Sequence, residues 1–239
     1  MKPDVLVVVS GYAGDGQQVH DFLPLYRHHG FPVLVLSPED SPITCLPRCF
    51  SWLSHRQVGL RGYTGPHTLE RQRLSMELLQ TTPFTHFLWH DADSLCLSRR
   101  LPGYLFDGNV LWNNEVLDTN KAPSLLPKLA LQPPYFFNRS VLAGLLEGAK
   151  HPATSYYEGA DLSDADKIPV PTGCIDHWML QVAHGGGVEH RNFPDGASFE
   201  TRSRHGLDTM IHHVRDLKKR MVHSVKTGEI ARRLMALAK

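Results

Sequence analysis

Apolar positions in the first hundred residues come as short unbroken runs separated by polar loops and helix-spaced stretches. Val5 to Val9 is one such run, and an uninterrupted β-branched stretch suits a strand buried on both faces. After the loop Gly11 to Gly16, apolar residues recur at Val19, Phe22, Leu23 and Tyr26, spaced for one face of a helix. Gly30 closes that helix, and Phe31 to Leu36 predicts a second buried strand ending in Ser37-Pro38-Glu39-Asp40. A second helix is predicted from Thr68 to Gln80, with Thr68 as its cap and Leu69, Leu74, Leu78 and Leu79 inward. It feeds the apolar run Phe87 to Trp89, which stops at His90. Strand, helix, strand, helix, strand predicts a parallel sheet with right-handed crossovers.

Beyond that point the rhythm changes. Asn109 to Val116 has strand character, and Leu129 to Phe137 carries a Pro133-Pro134 break before Tyr135-Phe136-Phe137. Helices are predicted at Val141 to Glu147 and at Asp176 to Ala183, the second stopping at Gly185-Gly186-Gly187. Residues 151 to 171 are polar and proline-bearing, a long loop of the kind that usually serves function. No repeat or low-complexity tract separates the halves, so the expectation is one domain over 1–239. The change of rhythm divides it into a first half, 1–97, and a second half, 98–239.

Composition narrows the field of partners. The chain has 239 residues, 41% of them hydrophobic, with 25 basic against 24 acidic side chains. That is enough length for a substantial core, and a net charge of +1 gives no global pull toward nucleic acid or membrane. The apolar run near the start is too short for a signal peptide or a spanning helix. The four cysteines (Cys45, Cys49, Cys96 and Cys174) form no CxxC pair, which reads as reduced thiols and a cytoplasmic setting. A zinc set of Cys45, Cys49 and His55 has no further support.

The chemistry is carried by the end of the third strand. Two carboxylates, Asp91 and Asp93, follow the apolar run one residue apart. Like charges this close repel, and a cation between them is the relief. In a parallel sheet, ligands sit outside the carboxyl ends of the strands. Three such ends are visible here: Ser10 to Gly16, Glu39-Asp40, and His90 to Asp93. Carboxylate oxygens suit Mg²⁺ or Mn²⁺, which complete their shells with water and substrate phosphates. A phosphate-bearing substrate bridged by a metal is the resulting expectation. The Gly11-Tyr12-Ala13-Gly14 loop should approach a nucleoside, and Asp40 can accept hydrogen bonds from its ribose or base. With neither GxGxxG nor a GK[ST] ending, that loop excludes dinucleotide and P-loop sites.

The order of elements closing in Asp91-Ala92-Asp93 resembles the nucleotide-sugar glycosyltransferases of the GT-A fold, an α/β class with a Rossmann-like, mixed but mostly parallel central sheet flanked by helices. Two further stretches carry the resemblance. Met221-Val222-His223-Ser224-Val225-Lys226 is similar to a late His-x-x-Lys element, and Gly173-Cys174-Ile175-Asp176-His177-Trp178 to an acidic residue opening a helix near the acceptor. The resemblance implies a nucleotide-diphosphate-sugar donor and Mn²⁺ or Mg²⁺, with 1–97 as the nucleotide-binding half and 98–239 as the acceptor-binding half. By the same resemblance Asp93 is a direct metal ligand, Asp91 addresses the metal or the donor ribose, His223 the metal, and Lys226 the diphosphate. It also implies that Asp176 is the general base toward an acceptor hydroxyl and that Arg73, in preference to Arg71, reaches the donor.

Acceptor identity stays open. Small stand-alone enzymes similar to this class include phage proteins that glycosylate hydroxymethylated pyrimidines in DNA. The basic run around Arg215, Lys218, Lys219 and Arg220 suits a phosphate backbone or a solvated helix, while glycans and small alcohols are the other candidates. Trp112, Asn113, Asn114 and Glu115 can line a sugar pocket or belong to the core. A nucleotidyltransferase would need a basic, glycine-rich turn after the first strand, and Gly11 to Gly16 contains no lysine or arginine. A non-enzymatic binding module would not need Asp91, Asp93, His223 and Lys226 together. Loops 151–171 and 195–207 are expected to close over the donor.

Overall fold

Five apolar residues in a row leave a strand no solvent face, so the first strand must run through the middle of the molecule. The computed structural model describes residues 4–44, 46, 51–61, 66–98, 100–117, 129–150, 175–193, 200–202, 211–212, 221–223, 233 and 236. In it β1 (Val5–Ser10) lies between β2 (Val33–Ser37) and β4 (His86–Asp91), parallel to both. Beyond β2 lies β3 (Leu53–Gln57), also parallel. On the other side β4 pairs antiparallel with β7 (Leu129–Asn138), then β6 (Val110–Leu117), then β8 (Glu189–Asn192). The seven-stranded order is β3-β2-β1-β4-β7-β6-β8. Six strands therefore point one way and β7 alone runs against them.

Alternate residues of β1 divide between two cores. Val5, Val7 and Val9 face one side, packed with Val19, Phe22, Leu23 and Tyr26 of α1 (Gly16–His29). Leu6 and Val8 face the other, where α2 (Pro66–Thr81), α3 (Arg139–Lys150) and α4 (Ile175–Gly185) supply Met76, Leu79, Leu145 and Val182. Each such side chain contributes roughly 1.5–3 kcal/mol on full burial, so a strand this apolar is stable only between two helical layers.

Several elements depart from the sequence expectation. The strand Leu53–Gln57 was not predicted, because it lies at the sheet edge and only Leu53 in it is apolar. The proline pair expected to interrupt Leu129 to Phe137 does not do so. The strand runs on to Asn138, with Pro133-Pro134 joined by a cis peptide bond. β5 (Leu95–Cys96), β9 (Glu200–Arg202) and β10 (Met221–His223) form a second sheet in the order β5-β10-β9. They are too short for periodicity to reveal. Part of the expected closing loop 195–207 is thus strand β9, and loop 151–171 lies outside the described residues.

Two devices lock the helical layer of α2, α3 and α4. Arg139 at the start of α3 donates to carbonyls left open at the end of α2 and just after it: Gln80 at 2.8 Å, Phe84 at 2.7 Å, and Thr82. A cation at a helix C-terminus also suits the dipole there. The second is the crossing of α3 with the end of α4, where glycines meet backbone. A Cβ on Gly148 would lie 1.9 Å from the Val182 carbonyl oxygen, and one on Gly186 2.0 Å from that of Gly144.

Gly→Ala inside a helix ordinarily stabilises by about 1 kcal/mol, but the Gly148 contact is backbone against backbone and neither side can give. Gly148→Ala should therefore lose about 3 kcal/mol in denaturant unfolding. Gly103→Ala, where a Cβ meets nothing within 4 Å, should stay within about 0.5 kcal/mol of the parent.

Candidate active site

Parallel strands that end together bring their following loops together. Ser10 ends β1 beside Leu36 of β2 and Asp91 of β4. The amide of Gly11 donates to the Leu36 carbonyl at 3.0 Å, and that of Ala92 to the Ser10 carbonyl at 2.7 Å. Trp89 adds an indole bond to Ser10 Oγ at 2.7 Å. The chain then turns, the Ser94 amide meeting the Asp91 carbonyl at 2.9 Å. Asp91, exposed, and Asp93, half-buried, stand on this turn at the carboxyl edge of the sheet.

Gly11 is what lets the first loop close on that turn. A Cβ there would stand 2.8 Å from Ala92 Cβ and 3.2 Å from Asp15 Oδ2. Laid end to end, those distances of 3.2 and 2.8 Å put the Asp15 carboxylate within about 6 Å of Ala92 Cβ, between the two predicted aspartates. Asp15 thus joins the rim as a third carboxylate that sequence reasoning missed. Burial pushes its pKa up; the Tyr12 amide, 3.0 Å from Oδ2, opposes this, the Asp93 carboxylate pushes further up and the Arg61 guanidinium down. The only signal in the sequence was its place in the loop after β1.

Tyr12 and Asp40, predicted on the donor side, lie along the same rim. Tyr12 sits under the Arg61 guanidinium, 4.5 Å from ring centre. Asp40 accepts from the Arg61 amide at 2.6 Å, and the amide of Ala13 reaches the Ser41 carbonyl at 3.0 Å. The loops after β1 and β2 and the segment after β3 are therefore tied into one wall. Arg61 is the second residue missed, since it follows an edge strand that carries no apolar pattern. Arg73 is partly exposed and pairs with Glu77 one helical turn on. The backbone of Arg71 packs against Gly59, which accepts from the Glu39 amide at 2.8 Å. Trp112, Asn113 and Asn114 are buried, with Trp112 edge-on to Tyr104 at 5.2 Å and Asn113 donating to Leu111 and Arg191 carbonyls. His55 of the conceivable zinc set bonds Ser37 Oγ at 2.6 Å; Cys45 and Cys49 lie outside the described residues.

The second small sheet brings the C-terminal motif to this place. β10 pairs antiparallel with β5, Met221 opposite Cys96 and Val222 opposite Leu95. One residue further, this register sets position 223 across from position 94, the neighbour of Asp93. Antiparallel partners have Cα atoms roughly 4.5–5.5 Å apart, so the backbones of the two motifs converge. The side chain of His223 and the whole of Lys226 lie outside the described residues. Asp176 is placed in the first turn of α4, its side chain likewise outside them. Among the described residues, no three His, Cys, Asp or Glu side chains form a ready metal cage, and no helix is long and apolar enough to cross a membrane.

No family model and no curated protein matches the chain. Solved structures do match, over nearly its full length. One is a glycosyltransferase involved in the glycosylation of the major capsid of PBCV-1, with TM-score 0.50, 12% identity, and 98% of each chain covered. A second is the galactosyltransferase LgtC in complex with donor and acceptor sugar analogues, with TM-score 0.51, 13% identity, covering 98% of this chain and 95% of that one. An active-site mutant of LgtC matches at TM-score 0.53 and 10% identity over the same shares. At such identities the likeness is one of fold: a mixed, mostly parallel seven-stranded sheet flanked by helices, the GT-A architecture.

The raised pKa of Asp15 fixes a pH signature. The native state holds the Asp15 proton more tightly than the unfolded chain does. The stability this gives is full below the ordinary carboxylate range and lost as pH rises through the raised value. In metal-free buffer Asp15→Asn should therefore raise Tm at pH 7, with the gain over wild type vanishing near pH 3. An equal gain at both pH values would contradict the assignment.

Proposed function

We propose that this protein is a metal-dependent glycosyltransferase that moves a sugar from a nucleotide-diphosphate donor to an acceptor hydroxyl. The observation that carries this reading is the β5–β10 register, which sets the strand bearing His223 beside the Asp91–Asp93 turn. The donor set suits a hard divalent ion. Asp15 is held partly buried against Asp93, a pair of like charges that a cation would relieve. Asp91, Asp93 and His223 would hold Mn²⁺ or Mg²⁺, which take the rest of their shell from water and phosphate oxygens. When bound, such an ion supplies Lewis-acid stabilisation of the departing diphosphate.

The chain's own groups account for the other requirements. Tyr12 and Asp40 form the nucleoside wall, with Gly11 allowing the close approach of that wall to the turn. Lys226 would supply a fixed positive charge for the diphosphate, where negative charge grows as the glycosidic bond breaks. Arg61, over Tyr12 and near Asp15, adds a second cation on the donor side, and Arg73 is a third candidate. Asp176, opening α4, would be the base toward the acceptor hydroxyl, a role that leaves the anomeric outcome, inversion or retention, to be read from the product. The loop after β1 carries no lysine or arginine, which favours this reading over a nucleotidyltransferase. The acceptor is a hydroxyl of a glycan, of a small alcohol, or of a hydroxymethylated pyrimidine in DNA.

A thermal-shift panel of nucleotide sugars with Mn²⁺ identifies the donor, and transfer assays on the three acceptor classes identify the product. Asp93→Ala should lower kcat/KM by at least about 100-fold and lose metal-dependent donor binding while the far-UV spectrum is retained. Full activity in the presence of EDTA would sink the metal assignment. Asp176→Asn should lose transfer and keep donor binding; loss of donor binding instead moves Asp176 into the donor site.

A further inference from the structure

Directly behind the carboxylate turn runs a chain of buried hydrogen bonds. The ring of His90, the residue before Asp91, is fully buried, as are Tyr26 of α1 and Cys96 of β5. His90 Nδ1 lies 2.8 Å from the Asp91 carbonyl, and His90 Nε2 lies 2.8 Å from the Tyr26 hydroxyl. The Cys96 amide reaches that same hydroxyl at 3.4 Å. The direction of each bond follows from the first. A carbonyl only accepts, so Nδ1 carries the proton; in the neutral ring Nε2 is then an acceptor. The Tyr26 hydroxyl must donate to it, leaving its lone pairs for the Cys96 amide. The phenol and imidazole rings also stack, with centroids 5.9 Å apart.

The relay closes a loop around the candidate metal site. His90 stands immediately before Asp91, and Cys96 lies three residues past Asp93 on the strand that receives β10. One hydroxyl thus joins the exit of β4, the start of the small sheet, and α1.

We propose that Tyr26 is a positioning residue for the Asp91–Asp93 turn, acting through His90 and Cys96 to hold the turn and the β10 strand in register for a cation and a nucleoside diphosphate. This rests on the glycosyltransferase reading above. Its energetic logic is that of outer-layer partners of metal ligands, whose removal typically weakens metal affinity by roughly 10–100-fold. Packing is not the issue, because the phenyl ring alone fills the core. The hydroxyl is what orients the imidazole and ties down β5.

Tyr26→Phe removes that hydroxyl and keeps the ring. The matched control is Tyr135→Phe, which also deletes a buried hydroxyl bond, 2.6 Å to the Leu131 carbonyl, but in the opposite core. Each folded variant is titrated calorimetrically with UDP in the presence of Mn²⁺, well below its Tm. Affinity should fall about tenfold in Tyr26→Phe and stay at the wild-type value in Tyr135→Phe. Amide hydrogen exchange across residues 91–96 of the ligand-free protein is read in parallel, and should quicken only in Tyr26→Phe. Unchanged affinity in Tyr26→Phe, or equal losses in the two variants, overturns the proposal. If wild type itself binds neither UDP nor, tested in its place, GDP, ADP or CDP with Mn²⁺, the donor reading falls separately. Exchange at 91–96 then decides the relay: unchanged rates overturn it, faster rates in Tyr26→Phe alone support it.

Discussion

The parallel pairing of β1 with β4 is the constraint from which the rest follows. It aligns Val5 with His86 and Ser10 with Asp91, so both strands leave the sheet at one level. A shift of one residue would turn Val7 and Val9 out of one core and Leu6 and Val8 out of the other, because side chains alternate along a strand. Register is therefore fixed by burial on two faces, and the carboxylates inherit their position from it. The hydrophobic core sets the place of the polar site without contributing an atom to it.

That position is electrostatically uncomfortable. Asp15 and Asp93 oppose each other's charge at the edge where Asp91 also emerges, and burial adds to the effect at Asp15. Arg61 offsets part of it from the neighbouring wall, and the Tyr12 amide another part. Like charges this close weaken the fold unless a counter-charge lies between them. The closeness of Gly11 to Ala92 keeps the acids from spreading apart.

The remaining structure holds the helical layers to the sheet. Three glycines at the α3–α4 crossing let backbone meet backbone, and Arg139 seals the end of α2. On the opposite face, Tyr26 reaches out of α1 to the strand exit. The helical layers are thus tied to one another and to the sheet on both of its faces.

The sequence by itself determined the central strands, the helices that cover them and the Asp91–Asp93 turn. Val5–Val9, the helical spacing of Val19 to Tyr26 and the abrupt stop after Trp89 are local signals, each set by burial over a few residues. It also contained the His223 motif, but could not say that the 129 residues between Asp93 and His223 fold it back. Only the tertiary structure decided that. A three-residue strand has too little pattern to register alone, and is held by the hydrogen bonds of β5 and β9 rather than by its own propensity. The same holds for Asp15, Arg61 and Tyr26. Each is an ordinary residue of a loop, an edge or a helix, and takes on meaning from partners that are distant in the chain and adjacent in space.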